Sequence, residues 1–195
     1  MIELNYSEGA TPINADEIEE LLPTHITTQA ELDRWEQDNI NEALAWVEER
    51  KPADILNESF IKLLHKKIFC NVWKWAGKFR QSEKNIGVSW YKIPVELKQL
   101  CDDVEYWIEN KIFSEDEIAA RFHHRLVSIH LFPNGNGRHA RLVADLLLEN
   151  ILNKPPFTWG TANLIKFGDD RKRYIKSLVA ADRGDYELLM NFVRS

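Results

Sequence analysis

His130-Leu131-Phe132-Pro133-Asn134-Gly135-Asn136-Gly137-Arg138-His139-Ala140-Arg141 is the stretch on which the reading of this chain turns. A polar Gly-Asn-Gly turn feeding a helix exposes backbone N–H groups that together form a pocket for an anion. Arg138 and Arg141 follow three residues apart, on one helix face and near its positive end. His130 precedes the turn and titrates near neutral pH in its unperturbed state. A solvated interhelical connection explains any one of these residues, but an ordinary turn needs no base, anion nest and cation pair together. The stretch reads as a phosphate cradle with a base beside it.

Outward from the turn the pattern is helical almost throughout. Asn14 is expected to cap a short helix over residues 15–22, stopped by Pro23. Thr28 with Glu31 forms a capping box opening a helix to about residue 50, with Leu32, Trp35, Ile40, Ala43, Leu44 and Val47 on one face. A third helix is expected over residues 54–72, and Pro94 opens a fourth that carries Leu97, Leu100, Val104 and Trp107. Ser114 and Glu117 make a second capping box before the helix that ends at His130. After the turn, Leu142, Val143, Leu146 and Leu147 continue an apolar stripe. Asp169 or Asp170 caps a last helix, which Gly184 closes. Residues 80–92 are the exception, where Gly87, Val88, Trp90 and Tyr91 suggest a hairpin. The expected fold class is therefore mainly all-α, a helical bundle with one small β-hairpin.

Composition narrows the function classes. The 195 residues fit one domain with a substantial core, since 44% are hydrophobic and seven are Trp. A formal charge of −6 provides no basic field for nucleic acid or anionic lipid, so neither is expected as a partner. No apolar run approaches a membrane span, and residues 1–5 do not read as a signal peptide. Cys70 and Cys101 are too few for a disulfide scaffold and read as reduced thiols of a cytoplasmic protein.

The 130–141 run resembles the signature of Fic domains, HxFx(D/E)GNGRxxR, at every specified position but one. The flanks agree with that family: Leu64-His65-Lys66-Lys67-Ile68-Phe69 leading into Trp73-Lys74-Trp75-Ala76-Gly77-Lys78-Phe79-Arg80, and later Arg171-Lys172-Arg173-Tyr174 with Leu178. The likeness covers roughly residues 53–193, leaving about 1–50 as an N-terminal helical extension. Residues 8–12 and 22–27 are further similar to the small bacterial Fic subgroup called mobile mystery protein B.

The resemblance implies an activity. Fic enzymes move AMP from ATP to a protein hydroxyl, so the chain is expected to be a protein adenylyltransferase acting on Ser, Thr or Tyr of a target protein. His130 would be the base. Gly135, Asn136 and Gly137 would hold the phosphates with their N–H groups, while Arg138 and Arg141 would grip the β- and γ-phosphates. Asn134 is the departure, because the family places Asp or Glu there to hold Mg²⁺. A neutral amide oxygen is a weaker ligand for that ion. Asn134 thus keeps alive a second reading, a non-catalytic nucleotide-binding or interaction module with a degenerate metal site. A third is a Fic-type kinase like the toxin Doc, but that toxin carries lysine where Gly137 stands. Ile86, Gly87 and Val88 would form the edge of the family's flap, to which a target strand adds. The inhibitory glutamate that many Fic proteins carry on a separate helix would be Glu42, paired with Arg141. Whether a second copy or an antitoxin chain binds is left open.

Overall fold

The computed structural model describes residues 12–161 and 168–195. The segments 1–5 and 8–11 read above lie outside these. Eight α-helices appear among the described residues: α1 (Ala15–Ile18), α2 (Gln29–Arg50), α3 (Glu58–Phe69), α4 (Ile93–Glu109), α5 (Glu115–Ile129), α6 (Asn136–Asn150), α7 (Asp169–Ala181) and α8 (Glu187–Val193). The expected all-α class is what forms.

The ends of these helices follow from side-chain chemistry. At α2, Thr28 Oγ1 accepts from the Glu31 amide at 3.3 Å, and Glu31 returns the bond by accepting from the Thr28 amide at 3.1 Å. The box therefore satisfies two otherwise unpaired donors. At α5, Ser114 accepts from the Glu117 amide, but the Glu117 carboxylate turns to Arg121 at 2.7 Å and closes no box. Asn57, rather than a residue near 54, caps α3 by accepting from the Phe60 amide at 2.8 Å. Helix α1 is shorter than its pattern. Leu21 leaves it to bridge Trp73, with Leu22 N–H on the Val72 carbonyl and Lys74 N–H on the Glu20 carbonyl.

Helix α5 is the hub, packing on α6, α4 and α8, while α3 joins α6 to α2. Its buried face repeats at Ile118, Phe122, Leu126 and Ile129, spacings of four, four and three that one helix stripe demands. Each such side chain removed from water contributes about 1.5–3 kcal/mol. A second cluster under α2 gathers Leu32, Ala43, Ile68, Phe69, Val72 and Trp73, with Trp73 stacked on Trp75 at 4.9 Å. This cluster fixes the N-terminal helix against α3 and so places α2 beside the 130–141 loop.

The β-hairpin expected within residues 80–92 does not form: no strand is present among the described residues. The segment is an irregular loop ending in a short 3₁₀ turn, Trp90–Lys92. The physical reason is Arg80. Its buried guanidinium donates from Nε to the His130 carbonyl (2.6 Å), from Nη1 to the Ser82 carbonyl (2.8 Å), and from Nη2 to the Val88 and Ile129 carbonyls. The Ser82 and Val88 carbonyls that a hairpin ladder would need are thus satisfied by a side chain. Backbone bonds from Arg80 N–H to the Leu131 carbonyl and from Val88 N–H to the Ile129 carbonyl hold both ends against the tail of α5.

Candidate active site

The loop between α5 and α6 owes its shape to residues within it. Asn136 Oδ1 accepts from the Phe132 amide at 2.9 Å and its Nδ2 donates to the Phe132 carbonyl at 2.8 Å, a two-bond clamp across the turn. Gly135 begins α6 with φ +77°, and a Cβ there would overlap the Phe69 ring. Glycine is therefore required by backbone and by space. Gly137 is different. Its backbone is ordinary, and a Cβ would stand 3.6 Å from Arg141 Nη1 and 4.0 Å from the Tyr174 hydroxyl. Here glycine keeps the first turn of α6 open rather than relieving strain. The first amides of that turn have no intrahelical acceptor, so they remain donors aimed at whatever lies before the helix.

Two histidines brace the loop from below. His65 Nδ1 accepts from the Gly77 amide at 2.9 Å, which leaves Nε2 to donate to the Asn134 carbonyl at 3.1 Å. Its ring stacks on Phe132 at 3.6 Å. His139 donates from Nε2 to the Ile61 carbonyl at 2.9 Å and packs edge-on to Phe132. A histidine between two motif arginines looks like a surface residue in the sequence, yet His139 is buried. His65 has no distinguishing sequence signal beyond its place in the family-like flank.

His130 itself sits at the C-cap of α5 in a left-handed conformation, φ +58°. For a residue with a Cβ this costs roughly 1–2 kcal/mol, and the Arg80 bond to its carbonyl holds it there. Gly87 closes over it so tightly that a Cβ at that glycine would come within 2.7 Å of the His130 Cβ. The ring is buried, and neither nitrogen has a hydrogen-bond partner among the described residues. Burial, reinforced by the positive charges of Arg80 and Lys84, lowers its pKa to about 4. The imidazole is consequently a neutral acceptor at physiological pH.

The arginines have separate environments. Arg138 crosses to α2 and pairs with Glu36, Nη1 to Oε2 at 2.5 Å, while stacking over Phe69 at 4.7 Å. Glu36 is buried and also accepts from Trp73 Nε1 at 2.7 Å. Arg141 lies over the Tyr174 ring at 5.6 Å, and His123 Nε2 meets the Tyr174 hydroxyl at 2.9 Å. Arg171 lines the same cleft and feels the charge of Arg141. The cleft is about 560 Å³ and extends from Glu36 and the 130–141 loop past Ile86 and Gly87 to His124 and Asp182.

Several expected roles need correction against this geometry. Glu42 does not reach Arg141, because its Oε2 accepts from Asn71 Nδ2 at 2.9 Å. The acidic residue at the motif is Glu36, and it holds Arg138. A signal for it exists in the sequence. The buried positions of α2 are Leu32, Glu36, Asn39, Ala43 and Val47, a single 4-3-4-4 stripe, whereas Trp35 and Leu44, once assigned to that face, are largely exposed. A charged residue on the apolar stripe marks a site; Glu42 is off it. Val88 has its N–H and carbonyl engaged, which leaves Ile86 as the exposed flap residue able to face a partner strand. Arg80, the residue that shapes the flap, lacks any sequence cue to its role.

Asn134 was expected as a weak metal ligand. Its Oδ1 accepts from the Gly135 amide at 2.6 Å, and no group of three His, Cys, Asp or Glu side chains able to hold a metal is present among the described residues. One neutral amide oxygen, already engaged, does not fit a protein-held Mg²⁺. No helix among the described residues is long and apolar enough to cross a membrane.

Residues 55–148 match the model of the Fic/DOC family. Among curated proteins, the protein adenylyltransferase Fic of Aedes aegypti is 31% identical over 121 residues, covering 60% of this chain and 23% of that protein. The corresponding protein of Nematostella vectensis is likewise 31% identical over 121 residues, covering 60% of this chain and 26% of its own length. The chain thus matches about a quarter of the length of these relatives. Among solved structures, an N-terminal Fic domain from Bartonella quintana superposes with TM-score 0.70 at 18% identity, covering 88% of this chain and 84% of that one. BepC from Bartonella tribocorum, solved with bound AMPPNP, gives TM-score 0.66 at 20% identity over 93% and 97%. At these identities the structures show a shared fold. Family match and fold agree: residues 55–148 match the Fic/DOC family, and the helices that carry them take the fold of solved Fic domains.

Proposed function

We propose that this chain is a protein adenylyltransferase that moves AMP from ATP to a Ser, Thr or Tyr hydroxyl of a target protein. The observation that carries the reading is His130: a buried, neutral imidazole with no hydrogen-bond partner among the described residues, next to a helix N-terminus and three arginines. The attacking hydroxyl oxygen bonds to the α-phosphorus and gives its proton to His130. The bond from that phosphorus to the α–β bridging oxygen breaks, and pyrophosphate leaves. The amides of the first turn of α6, with Arg141, stabilise the developing charge. Ile86 at the cleft mouth faces the target chain. ATP brings any Mg²⁺ with it on its phosphates, as part of the substrate.

Glu36 holds Arg138 in the resting chain and occupies the place of a phosphate oxygen, so nucleotide and Glu36 compete. The inhibitory role expected of Glu42 is assigned to Glu36. A non-catalytic nucleotide-binding module is the second reading, favoured by one observation: Asn134 Oδ1 takes the Gly135 amide that a phosphate would otherwise use. Incubation with ATP labelled at the α-phosphate separates the two. Label on protein with wild type or Glu36→Gln, lost in His130→Ala, supports transfer. ATP binding without label supports the module.

A further inference from the structure

The end of the cleft farthest from the arginines is built around a carboxylate. Asp182 caps the C-terminus of α7, lines the cleft, and keeps 58% of its side chain exposed. His124 Nε2 lies 2.8 Å from Asp182 Oδ1, and the Tyr186 hydroxyl lies 2.9 Å from His124 Nδ1. The His124 ring thus bridges the two, with Nε2 facing the carboxylate and Nδ1 facing the Tyr186 hydroxyl. The Arg121 guanidinium stacks over the Tyr186 ring at 4.1 Å while Nε and Nη2 donate to Glu117. Tyr186 and His124 together fix the orientation of the Asp182 carboxylate. Oδ2 accepts no hydrogen bond among the described residues.

The distance from the phosphate end is that of a nucleoside. Tyr174, beneath Arg141, and Asp182 are eight helical residues apart, about 12 Å at 1.5 Å per residue. His130 and His124 are six apart on α5, about 9 Å. Between them the cleft is lined by Val127 and Ser128 on one side and by Ile175 and Leu178 on the other. That is a slot for a flat ring with an acceptor at its edge.

We propose that Asp182 reads the edge of the nucleobase and that this site admits guanine nucleotides alongside adenine nucleotides, an inference that rests on the nucleotide-transfer reading above. Guanine presents two adjacent donors, N1–H and the N2 amine, which match the two oxygens of a carboxylate. Adenine presents one donor, its N6 amine, beside a ring nitrogen whose lone pair the carboxylate repels. The preference therefore comes from an acid at a place where a neutral amide would serve adenine equally well.

Titration calorimetry of the full chain with GTP, ITP and ATP tests this, on wild type and Asp182→Asn. The side chain is more than half exposed, so the variant is expected to keep its melting temperature, and a thermal scan checks that it does. Expected are GTP binding at least as tight as that of ATP, weaker binding of ITP, which lacks the N2 amine, and loss of GTP affinity by about tenfold or more in Asp182→Asn, with ATP changed by less than about twofold. ATP binding without GTP binding, or equal weakening of both in the variant, overturns the assignment while leaving the transfer reading in place. Failure of every nucleotide to bind, in wild type and in Glu36→Gln alike, overturns both.

Discussion

Replacing Glu36 by Gln should open the phosphate end of the cleft while leaving its walls in place. Gln keeps the carbonyl oxygen that accepts from Trp73 Nε1, so the packing of α2 on the Trp73–Trp75 stack persists. What disappears is the charge facing Arg138 at 2.5 Å. A hydrogen bond to a charged group contributes about 1.5–3 kcal/mol, and an entering phosphate must displace this one. Its removal is worth about ten- to a hundredfold in nucleotide affinity. The stability cost is smaller than for a fully buried pair, since Arg138 stays 20% exposed and stacked on Phe69. It should be about 1 kcal/mol, or a few degrees of melting temperature for a domain of this size. Calorimetric titration with ATP reads the first quantity and a thermal melt the second. A folded Glu36→Gln variant binding ATP within twofold of wild type would refute the competition between Glu36 and phosphate.

The remaining expectations concern the base, the turn and the flap. With its pKa depressed to about 4, His130 is unprotonated from pH 8 down to about 5, so kcat/KM should stay flat over that range and fall only as pH approaches 4; an acidic limb near 6.5 would show a solvated imidazole instead. Burial also depresses His139 to about 4 and His123 to about 3, so the stability that their neutral forms contribute is present above pH 6.5 and is lost as pH falls through those values, measurable as a melting temperature that declines below pH 6. Gly135→Ala meets both a positive φ and the Phe69 ring and should cost at least about 1–3 kcal/mol. Gly137→Ala, whose Cβ makes only ordinary contacts, should keep its stability within about 1 kcal/mol and instead weaken ATP binding; equal destabilisation by the two would contradict the distinct roles of these glycines. Arg80→Lys leaves several buried carbonyls unpaired at about 1–3 kcal/mol each, and loss of both stability and transfer is expected, with a melt unchanged from wild type as the contrary result.

The helices were legible because their rules are local. Capping at Thr28, the Pro94 start and the apolar periodicity of α5 depend on residues a few positions apart. The loop proposed to hold phosphate was legible for the same reason, being one continuous run from His130 to Arg141. That Glu36, and not Glu42, pairs with a motif arginine was not legible, because motif spacing points to Glu42 while the buried face of α2 runs through Glu36 and Asn39. The true stripe is set by contact with α3 and the turn after it, 28 to 37 residues further along the chain but close in space. The flap was misread as a hairpin because its β-like residues cannot reveal that Arg80 supplies the hydrogen bonds a second strand would have made.

From sequence alone came the helical class, the family and the set of groups that can meet a phosphate, since each follows from short-range spacing. Tertiary packing decided which carboxylate holds Arg138, that His130 is neutral and held in a left-handed turn, and that Asp182 stands at the cleft's far end. These depend on distances between residues far apart in the chain, and on the loss of water around them, which no local pattern encodes.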